Sequence, residues 1–199
     1  MIKIYDGPRS GHCHRVRLAA RLMGVPFELI SVADMPGGRD GAAYLEINPF
    51  HQIPAIDDGG IIIRDSIAIL IYLADRYDQT GRWYPRDPQT RARVNEWFGT
   101  AAGHLFRGPN MARLIKVFNM PGDHEAAVAV ANQLFTVMNA HLDGRTWLVG
   151  DGPTLADVAC YSYIRLADEG EVDVAPYANV VAWLAAIEGL ENFLPVARG

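Results

Sequence analysis

The pattern of apolar residues changes partway along this chain, and that change constrains the fold more than any other feature. Four short runs in the first part have the length and composition of β-strands, at 2–5, 27–32, 54–56 and 61–64. Three segments between and after them have helical spacing, at 12–23, 42–47 and 65–77. The predicted order of elements is therefore βαβαββα.

This order predicts a small mixed sheet with helices on both faces, because helices connect parallel strands and the turn at 57–60 closes an antiparallel hairpin. It is the order of the thioredoxin fold. Turn-forming and polar residues dominate 79–88, which we interpret as a linker, and the residues beyond it carry helical patterns without a convincing strand. We predict an N-terminal thioredoxin-like domain at 1–78 and a C-terminal all-helical bundle at 89–199.

The composition argues against several classes of protein. The formal net charge is -5 and the 18 Lys and Arg residues are scattered, so we expect no nucleic-acid partner. The two cysteines, Cys13 and Cys160, are too few for a disulfide framework and lack the spacing of a structural zinc site. Neither a signal-peptide pattern nor an apolar run of roughly 18 residues is present, so we expect a cytoplasmic protein without a membrane partner.

The loop before the first helix contains the first candidate catalytic residue. Thioredoxin-like proteins place a cysteine there, and the helix N-terminus lowers its pKa. Here the same place reads Ser10-Gly11-His12-Cys13, so a hydroxyl replaces the leading thiol. A hydrogen bond to a charged group contributes about 1.5–3 kcal/mol and a helix N-terminus about 0.3–1 kcal/mol. Since lowering a thiol pKa from about 8.5 to about 6.5 requires about 2.7 kcal/mol, Ser10 could stabilise the thiolate of another molecule.

The residues of this loop also have simpler interpretations. Ser10 suits an ordinary helix N-cap. Cys13 is either a nucleophile, helped by the His and Arg side chains beside it, or an inert residue that faces inward. The histidines of the loop and His51 do not predict a metal site, because adjacent helical residues point in different directions and no i, i+4 pair of ligands is present.

Two further segments suit a small peptide thiol. Pro54 begins an apolar strand, where it cannot donate to a ladder, and a cis Ile53–Pro54 bond would free the backbone of Ile53 to pair with an extended peptide. The helix that follows opens with Asp65-Ser66, whose free N–H groups and serine hydroxyl suit a carboxylate, while Asp65 suits an ammonium group. Asp65 as a simple N-cap is the alternative, and that role does not exclude ligand binding.

A helix of the second domain begins with a different signature. Thr154 precedes it and Asp157 follows three residues later, which is the spacing of a capping box. In this motif each side chain accepts a hydrogen bond from the other residue's backbone N–H, and a helix cap contributes about 1 kcal/mol. We interpret both residues as structural.

Four segments resemble the cytosolic glutathione transferases, in order and spacing, over nearly the whole chain: RSGHCHRVRLA, NPFHQIPAI, RDSIAILIYLADRY and PTLADVACYSYIRLADEG. They are similar to the family's catalytic-serine loop, cis-proline strand, glutamyl-binding turn and second-domain capping motif. The loop is most similar to serine-type members of the theta, delta and phi kind. The resemblance implies a homodimer whose N-terminal domain holds glutathione and whose helical domain walls an apolar pocket for an electrophile.

Position by position, the resemblance implies a role for each residue of the glutathione site. Ser10 matches the thiol-activating serine, and Ile53, before Pro54, matches the backbone that pairs with the cysteinyl unit. Asp65 with Ser66 matches the γ-glutamyl contact. The remaining two matches are a side chain that touches the glutathione backbone and a cation for the glycine carboxylate, namely Gln52 and Arg39.

The second-substrate pocket is expected to draw on the loop after the first strand and on a long helix of the second domain. A role in the core or on the surface suits each candidate equally well. These candidates are His12, Trp97, His104, Leu105 and Arg107.

We predict a transferase that takes glutathione as co-substrate, lowers its thiol pKa and adds the thiolate to a small apolar electrophile without a metal. One alternative is a glutathione-dependent reductase or lyase in which Cys13 forms a mixed disulfide. Another is a non-catalytic module that uses the same fold to dimerise or to carry hydrophobic ligands.

Overall fold

The computed structural model describes residues 1–199, and the chain divides into two compact units. The first unit consists of Met1–Thr80 and Glu191–Ala197, and the second of Gly81–Leu190 and Arg198–Gly199. The boundary falls inside the segment 79–88 that we interpreted as a linker. Part of that segment belongs to the second unit, because Trp83 is buried and its carbonyl accepts a hydrogen bond from the Leu155 N–H at 2.8 Å.

The first unit has the predicted βαβαββα order. Its elements are β1 Ile2–Asp6, α1 Gly11–Leu22, β2 Phe27–Ser31, α2 Ala42–Ile47, β3 Ala55–Asp58, β4 Ile61–Arg64 and α3 Ser66–Tyr77. The sheet has the strand order β2-β1-β3-β4, in which β1 and β2 are parallel and the other two pairs are antiparallel. The mixed sheet confirms the predicted thioredoxin-like fold.

The core of the first unit lies where the central strands meet the helices. Ile4 of β1 pairs with Leu29 of β2 on one side and with Ile56 of β3 on the other, and both Ile4 and Ile56 are buried. Helices α1 and α3 pack against each other. This packing brings the N-terminus of α1 and the N-terminus of α3 into the same region of the unit.

The second unit is all helical, as predicted. Its elements are α4 Pro88–Thr100, a π-helical segment Ala101–Asn110, α5 Met111–Phe118, α6 His124–His141, α7 Leu155–Arg165, a 3-10 turn Ala167–Gly170 and α8 Ala178–Glu188. Every residue of α7 from Leu155 to Ile164 is buried, so this helix is the centre of the unit. No helix of the protein combines the length and the apolar character needed to cross a membrane.

The predicted capping box starts α7. The Thr154 Oγ1 accepts a hydrogen bond from the Ala156 N–H at 3.2 Å, and the Asp157 Oδ2 accepts one from the Thr154 N–H at 2.8 Å. Asp157 also reaches beyond its own helix, since its Oδ1 accepts hydrogen bonds from the Leu148 N–H at 3.0 Å and from the Trp183 indole at 2.8 Å. The carboxylate therefore joins α7, the preceding loop and α8.

The tail segment Glu191–Ala197 differs from the prediction, which placed all of 89–199 in the second domain. It belongs to the first unit, where the His14 Nε2 lies 2.8 Å from the Leu194 carbonyl oxygen. A carbonyl can only accept, so the imidazole donates its Nε2 proton. His14 is completely buried, and burial lowers its pKa to about 4, so the ring is neutral near pH 7.

Candidate functional site

Ser10 is both the N-cap of α1 and a potential donor to a ligand. Its backbone is extended, and its Oγ accepts a hydrogen bond from the Cys13 N–H at 3.3 Å. That bond uses a lone pair of the oxygen, so the hydroxyl hydrogen, which the Cys13 sulfur can accept within the chain, can also rotate toward another acceptor. Ser10 is only half-buried, so this hydrogen can be directed at a ligand. The structure shows the N-cap role of Ser10, and this role is compatible with donation to a ligand, which remains a prediction.

Helix α1 also holds the loop that carries Ser10. The Arg17 Nη2 donates to the Pro8 carbonyl at 3.1 Å, and its Nη1 lies 3.5 Å from the Asp6 Oδ2. Asp6 is buried, which raises the pKa of its carboxyl, while the charge of Arg17 opposes that shift. The loop is thus tied to the helix at both ends of the stretch that precedes Ser10.

The Ile53–Pro54 peptide bond is cis. The carbonyl of Gln52, the preceding residue, accepts two hydrogen bonds of 2.6 Å, one from the Tyr44 hydroxyl and one from the Asn48 Nδ2. Neither the N–H nor the C=O of Ile53 is hydrogen-bonded within the chain. The turn is therefore held by α2 and its C-cap, while the backbone of Ile53 keeps its hydrogen-bonding capacity for a ligand.

Ser10 and Ile53 are brought together at Gly7. A Cβ built on Gly7 would lie 2.5 Å from the Ile53 Cδ1 and 4.0 Å from the Ser10 Cβ. The first distance is too short for two carbon atoms, so any larger residue at position 7 would require the end of the Ile53 side chain to move. The predicted thiol-activating group and the predicted backbone clamp are neighbours.

Asp65 caps α3 through an unusual backbone conformation. Its φ is +71°, a region that non-glycine residues avoid, and its Oδ1 accepts hydrogen bonds from the Ile67 N–H at 2.9 Å and the Ala68 N–H at 3.1 Å. These two bonds occupy N–H groups that the sequence suggested would be free for a carboxylate. The N–H of Ser66 has no partner within the chain and remains available.

The side chain of Ser66 is part of a three-residue cluster with α1. The Arg15 Nη1 donates to the Ser66 Oγ at 2.8 Å, and the His12 Nδ1 lies 3.3 Å from that Nη1 and 3.4 Å from the Ser66 Oγ. Because arginine has no acceptor, the His12 Nδ1 presents a lone pair to it. Burial, and then the charge of Arg15, lower the pKa of His12 to about 3. His12 is therefore a neutral imidazole at the edge of the candidate site.

Cys13 lacks the features of a nucleophile. Its side chain is completely buried, and burial raises the pKa of its thiol to about 12, although a hydrogen bond with Ser10 opposes the shift. A reactive cysteine needs an accessible sulfur and a lowered pKa. Cys160 is also a buried free thiol, inside α7.

The remaining predicted site residues differ in how they are placed. The side chains of Gln52 and Arg39 are exposed. The positive charge of Arg39 acts to lower the pKa of the buried Tyr44, whose hydroxyl donates to the Gln52 carbonyl. In the second unit, Trp97 and Leu105 are buried, whereas His104 and Arg107 are exposed. Contact of these six side chains with a ligand remains a prediction.

The sequence interpretation missed Tyr44 and Asn48, although they had a detectable signal, and it assigned Arg15 and Arg17 to Cys13 instead of to Ser66 and the loop before α1. Tyr44 and Asn48 are spaced i, i+4, which places both on one side of α2 and its end. Arg15 lies at i+3 from His12 on α1, but a buried arginine leaves no trace in an apolar pattern. The contacts of Arg17 with Asp6 and Pro8 likewise cannot be read from the apolar pattern.

The chain is similar to known proteins in its family signatures, its sequence and its structure. Residues 9–76 match the glutathione S-transferase N-terminal domain, and residues 121–191 match the glutathione S-transferase C-terminal domain. Glutathione S-transferase D7 of Drosophila melanogaster is 28% identical over 190 residues, covering 92% of this chain and 82% of that protein.

Two solved structures are similar over nearly the full length. A glutathione S-transferase from Xanthobacter autotrophicus Py2 is 30% identical, with a TM-score of 0.88 and coverage of 98% of this chain and 97% of that chain. A delta-class glutathione transferase from Nilaparvata lugens is 29% identical, with a TM-score of 0.85 and coverage of 94% and 88%.

Proposed function

Because the chain belongs to the glutathione S-transferase family, we propose that it activates the thiol of glutathione and transfers the thiolate to a small apolar electrophile. The observation that carries this proposal is the position of Ser10. Its oxygen caps α1 through the Cys13 N–H, and its hydroxyl hydrogen can rotate from the buried Cys13 sulfur to an external thiolate. A neutral hydroxyl there can stabilise the anion without itself losing a proton.

The magnitude of this effect is sufficient. A hydrogen bond to a charged group contributes about 1.5–3 kcal/mol, which corresponds to about 1–2 pKa units of the bound thiol. The N-terminus of the 12-residue helix α1 adds a further favourable field at the same place. Most of the glutathione would then be bound as the thiolate near neutral pH, ready for attack on an electrophile held beside it.

Other residues of the first unit suit the rest of the peptide. The available N–H and C=O of Ile53 can pair with the cysteinyl unit as an added strand. The Ser66 N–H and hydroxyl suit the γ-glutamyl carboxylate, and the exposed Asp65 suits its ammonium group. We extend the proposal to Gln52 as a contact with the glutathione backbone and to Arg39 as the partner of the glycine carboxylate.

The two other functional hypotheses lack such support. A reductase or lyase that uses Cys13 needs an accessible thiolate, whereas this sulfur is buried with a pKa of about 12. No feature of the structure favours a non-catalytic binding module over an enzyme. The apolar electrophile is expected to contact the second unit, with His104 and Arg107 as its exposed candidates.

We also propose that the protein is a cytoplasmic homodimer. The first unit exposes Phe50, which is 71% accessible, beside the cis-proline turn, and an exposed aromatic of this size suits burial against a second copy. Reduced glutathione and two free thiols fit a reducing compartment. Light scattering should give the mass of a dimer, with a weaker dimer for Phe50→Ala, and cell fractionation should place the protein in the soluble cytoplasmic fraction.

The decisive experiment titrates the ultraviolet absorbance of the thiolate of bound glutathione against pH. Wild-type protein is compared with Ser10→Ala, which removes both the cap and the hydroxyl, and with Ser10→Thr, which keeps both. Ser31→Ala is the matched control, because Ser31 is also half-buried and makes no side-chain cap hydrogen bond.

We expect the wild type, Ser10→Thr and Ser31→Ala to lower the thiol pKa, and Ser10→Ala to raise it again by about 1–2 units. Turnover with an aromatic electrophile such as a chloronitrobenzene should fall in parallel. An unchanged thiol pKa in Ser10→Ala, or glutathione that binds to the wild type with its ordinary pKa, would contradict the proposed role.

A further inference from the structure

Arg15 lies directly behind Ser66, the residue that begins α3. The arginine is only 2% exposed, and its guanidinium reaches from α1 to donate to the Ser66 Oγ at 2.8 Å. Ser66 is also buried, at 5% exposure. The hydrogen bond therefore lies inside the unit, where electrostatic interactions are stronger than in water.

The direction of this hydrogen bond fixes what Ser66 can offer to a ligand. Arginine can only donate, so the Ser66 oxygen accepts from it and the hydroxyl hydrogen must point away from Arg15. Within the chain, the one nearby acceptor is the His12 Nδ1, at a long distance of 3.4 Å. A ligand acceptor placed beside Ser66 would take this hydrogen in better geometry.

The same arrangement selects the charge of that acceptor. The Ser66 hydroxyl and the Ser66 N–H both donate, and the permanently charged guanidinium lies behind them. The Asp65 side chain accepts hydrogen bonds from the next two N–H groups of α3. The hydroxyl and the N–H of Ser66 are therefore the donors that this subsite offers to a ligand. Two donors backed by a buried cation favour an anion over a neutral group.

We propose that Arg15 is a positioning residue that orients the Ser66 hydroxyl and makes this subsite selective for a carboxylate in the ligand head group. The inference rests on the proposed function, because it assumes that the γ-glutamyl group of glutathione binds at Ser66. It assigns the selectivity to a residue that does not touch the ligand.

The test uses two ligands that differ only in this carboxylate. S-methylglutathione contains it, and the S-methyl derivative of γ-aminobutyryl-cysteinyl-glycine lacks it but keeps the amine. Both ligands have blocked sulfurs, so calorimetric binding constants are independent of thiol activation by Ser10. The proteins are the wild type, Arg15→Met, Arg15→Lys, Ser66→Ala and the double variant Arg15→Met/Ser66→Ala.

Arg21→Met is the matched control, since Arg21 is an exposed arginine on the same helix. We expect the wild type and this control to bind S-methylglutathione at least about tenfold more tightly than the analogue. Arg15→Met should lose about tenfold in affinity for S-methylglutathione and little for the analogue, and Arg15→Lys should recover part of the preference. If Arg15→Met fails to fold, Arg15→Lys, which keeps the buried charge but not the guanidinium geometry, tests the role of Arg15 beside Ser66→Ala.

The double variant separates positioning from a structural role. Because Arg15 acts through Ser66, its removal should cost no further selectivity once the hydroxyl is gone. Equal weakening of both ligands by Arg15→Met, or an unchanged preference in Ser66→Ala, would overturn the inference. Failure of the wild type to bind S-methylglutathione at all would instead refute the proposed function, on which the inference depends.

Discussion

Replacement of Asp157 by asparagine should destabilise the second unit by an amount that its hydrogen bonds predict. The Oδ1 of Asp157 accepts hydrogen bonds from the Leu148 N–H and the Trp183 indole, and its Oδ2 accepts one from the Thr154 N–H. An asparagine has one carbonyl oxygen, so its amide NH2 must face one of these donor sets. If it faces Thr154, the capping bond, which contributes about 1 kcal/mol, is lost, and a buried N–H is left unsatisfied at a cost of about 1–3 kcal/mol.

The expected loss in the free energy of unfolding is therefore about 2–4 kcal/mol. With a urea m-value of about 2 kcal/mol/M, the unfolding midpoint should fall by about 1–2 M. Tryptophan fluorescence is a selective probe, because the protein's four tryptophans, Trp83, Trp97, Trp147 and Trp183, all belong to the second unit. It follows this unit even if the two units unfold at different urea concentrations.

The control is Asp151→Asn, which makes the same chemical change at an exposed position before the same helix. Its midpoint should stay within about 0.2 M of the wild type, since surface substitutions usually change stability by less than about 0.5 kcal/mol. A midpoint of Asp157→Asn that falls no further than that of the control would refute the reasoning that this carboxylate joins the loop, α7 and α8.

Two further predictions concern buried groups of the first unit. Burial lowers the pKa of His14 to about 4 and that of His12 to about 3, so the unfolded chain binds more protons than the folded one below pH about 6.5. The free energy of unfolding should fall as the pH decreases from about 6.5 toward about 4, by up to about 1.4 kcal/mol per pH unit for each histidine, and His14→Gln should reduce this slope. Urea midpoints from circular dichroism at pH 5, 6 and 7 measure the slope. Equal midpoints at the three pH values would contradict the prediction. Iodoacetamide should leave Cys13 and Cys160 unmodified in the native protein and alkylate both in urea, because both are buried. Rapid modification of Cys13 in the native protein, detected by mass spectrometry, would contradict this prediction and support a mechanism that uses its thiol.

Much of the first unit could be predicted from local sequence. The strand patterns, the turn at 57–60 and the helix that starts at Asp65 are local signals, and the sheet built from them is the predicted one. The capping box was equally readable, because Thr154 and Asp157 act on each other across a single helical turn. In each case the residues that determine the structure lie close together in the chain.

The features that escaped prediction depend on contacts between distant residues or on the detailed geometry of a turn. Helix α1 buries Cys13, His14, Arg15 and Val16 in succession, whereas an apolar stripe marks only the face of a helix that packs on one neighbour. The positive φ of Asp65 belongs to the turn between β4 and α3, and the residue type at this position does not predict it. The spacing of Tyr44 and Asn48 places both on one side of α2, but their shared acceptor, the Gln52 carbonyl, is defined by the turn that follows.

The return of Glu191–Ala197 to the first unit has a consequence for the order in which the protein is made. Synthesis proceeds from the N-terminus, so the sheet and α1 leave the ribosome long before the carbonyl of Leu194, which receives the proton of His14. Until then the imidazole of His14 lacks this acceptor, and residues 81–190 must be translated first. A nascent or truncated chain that ends before Leu194 would therefore hold its first unit in an incomplete form, however early its strands have paired.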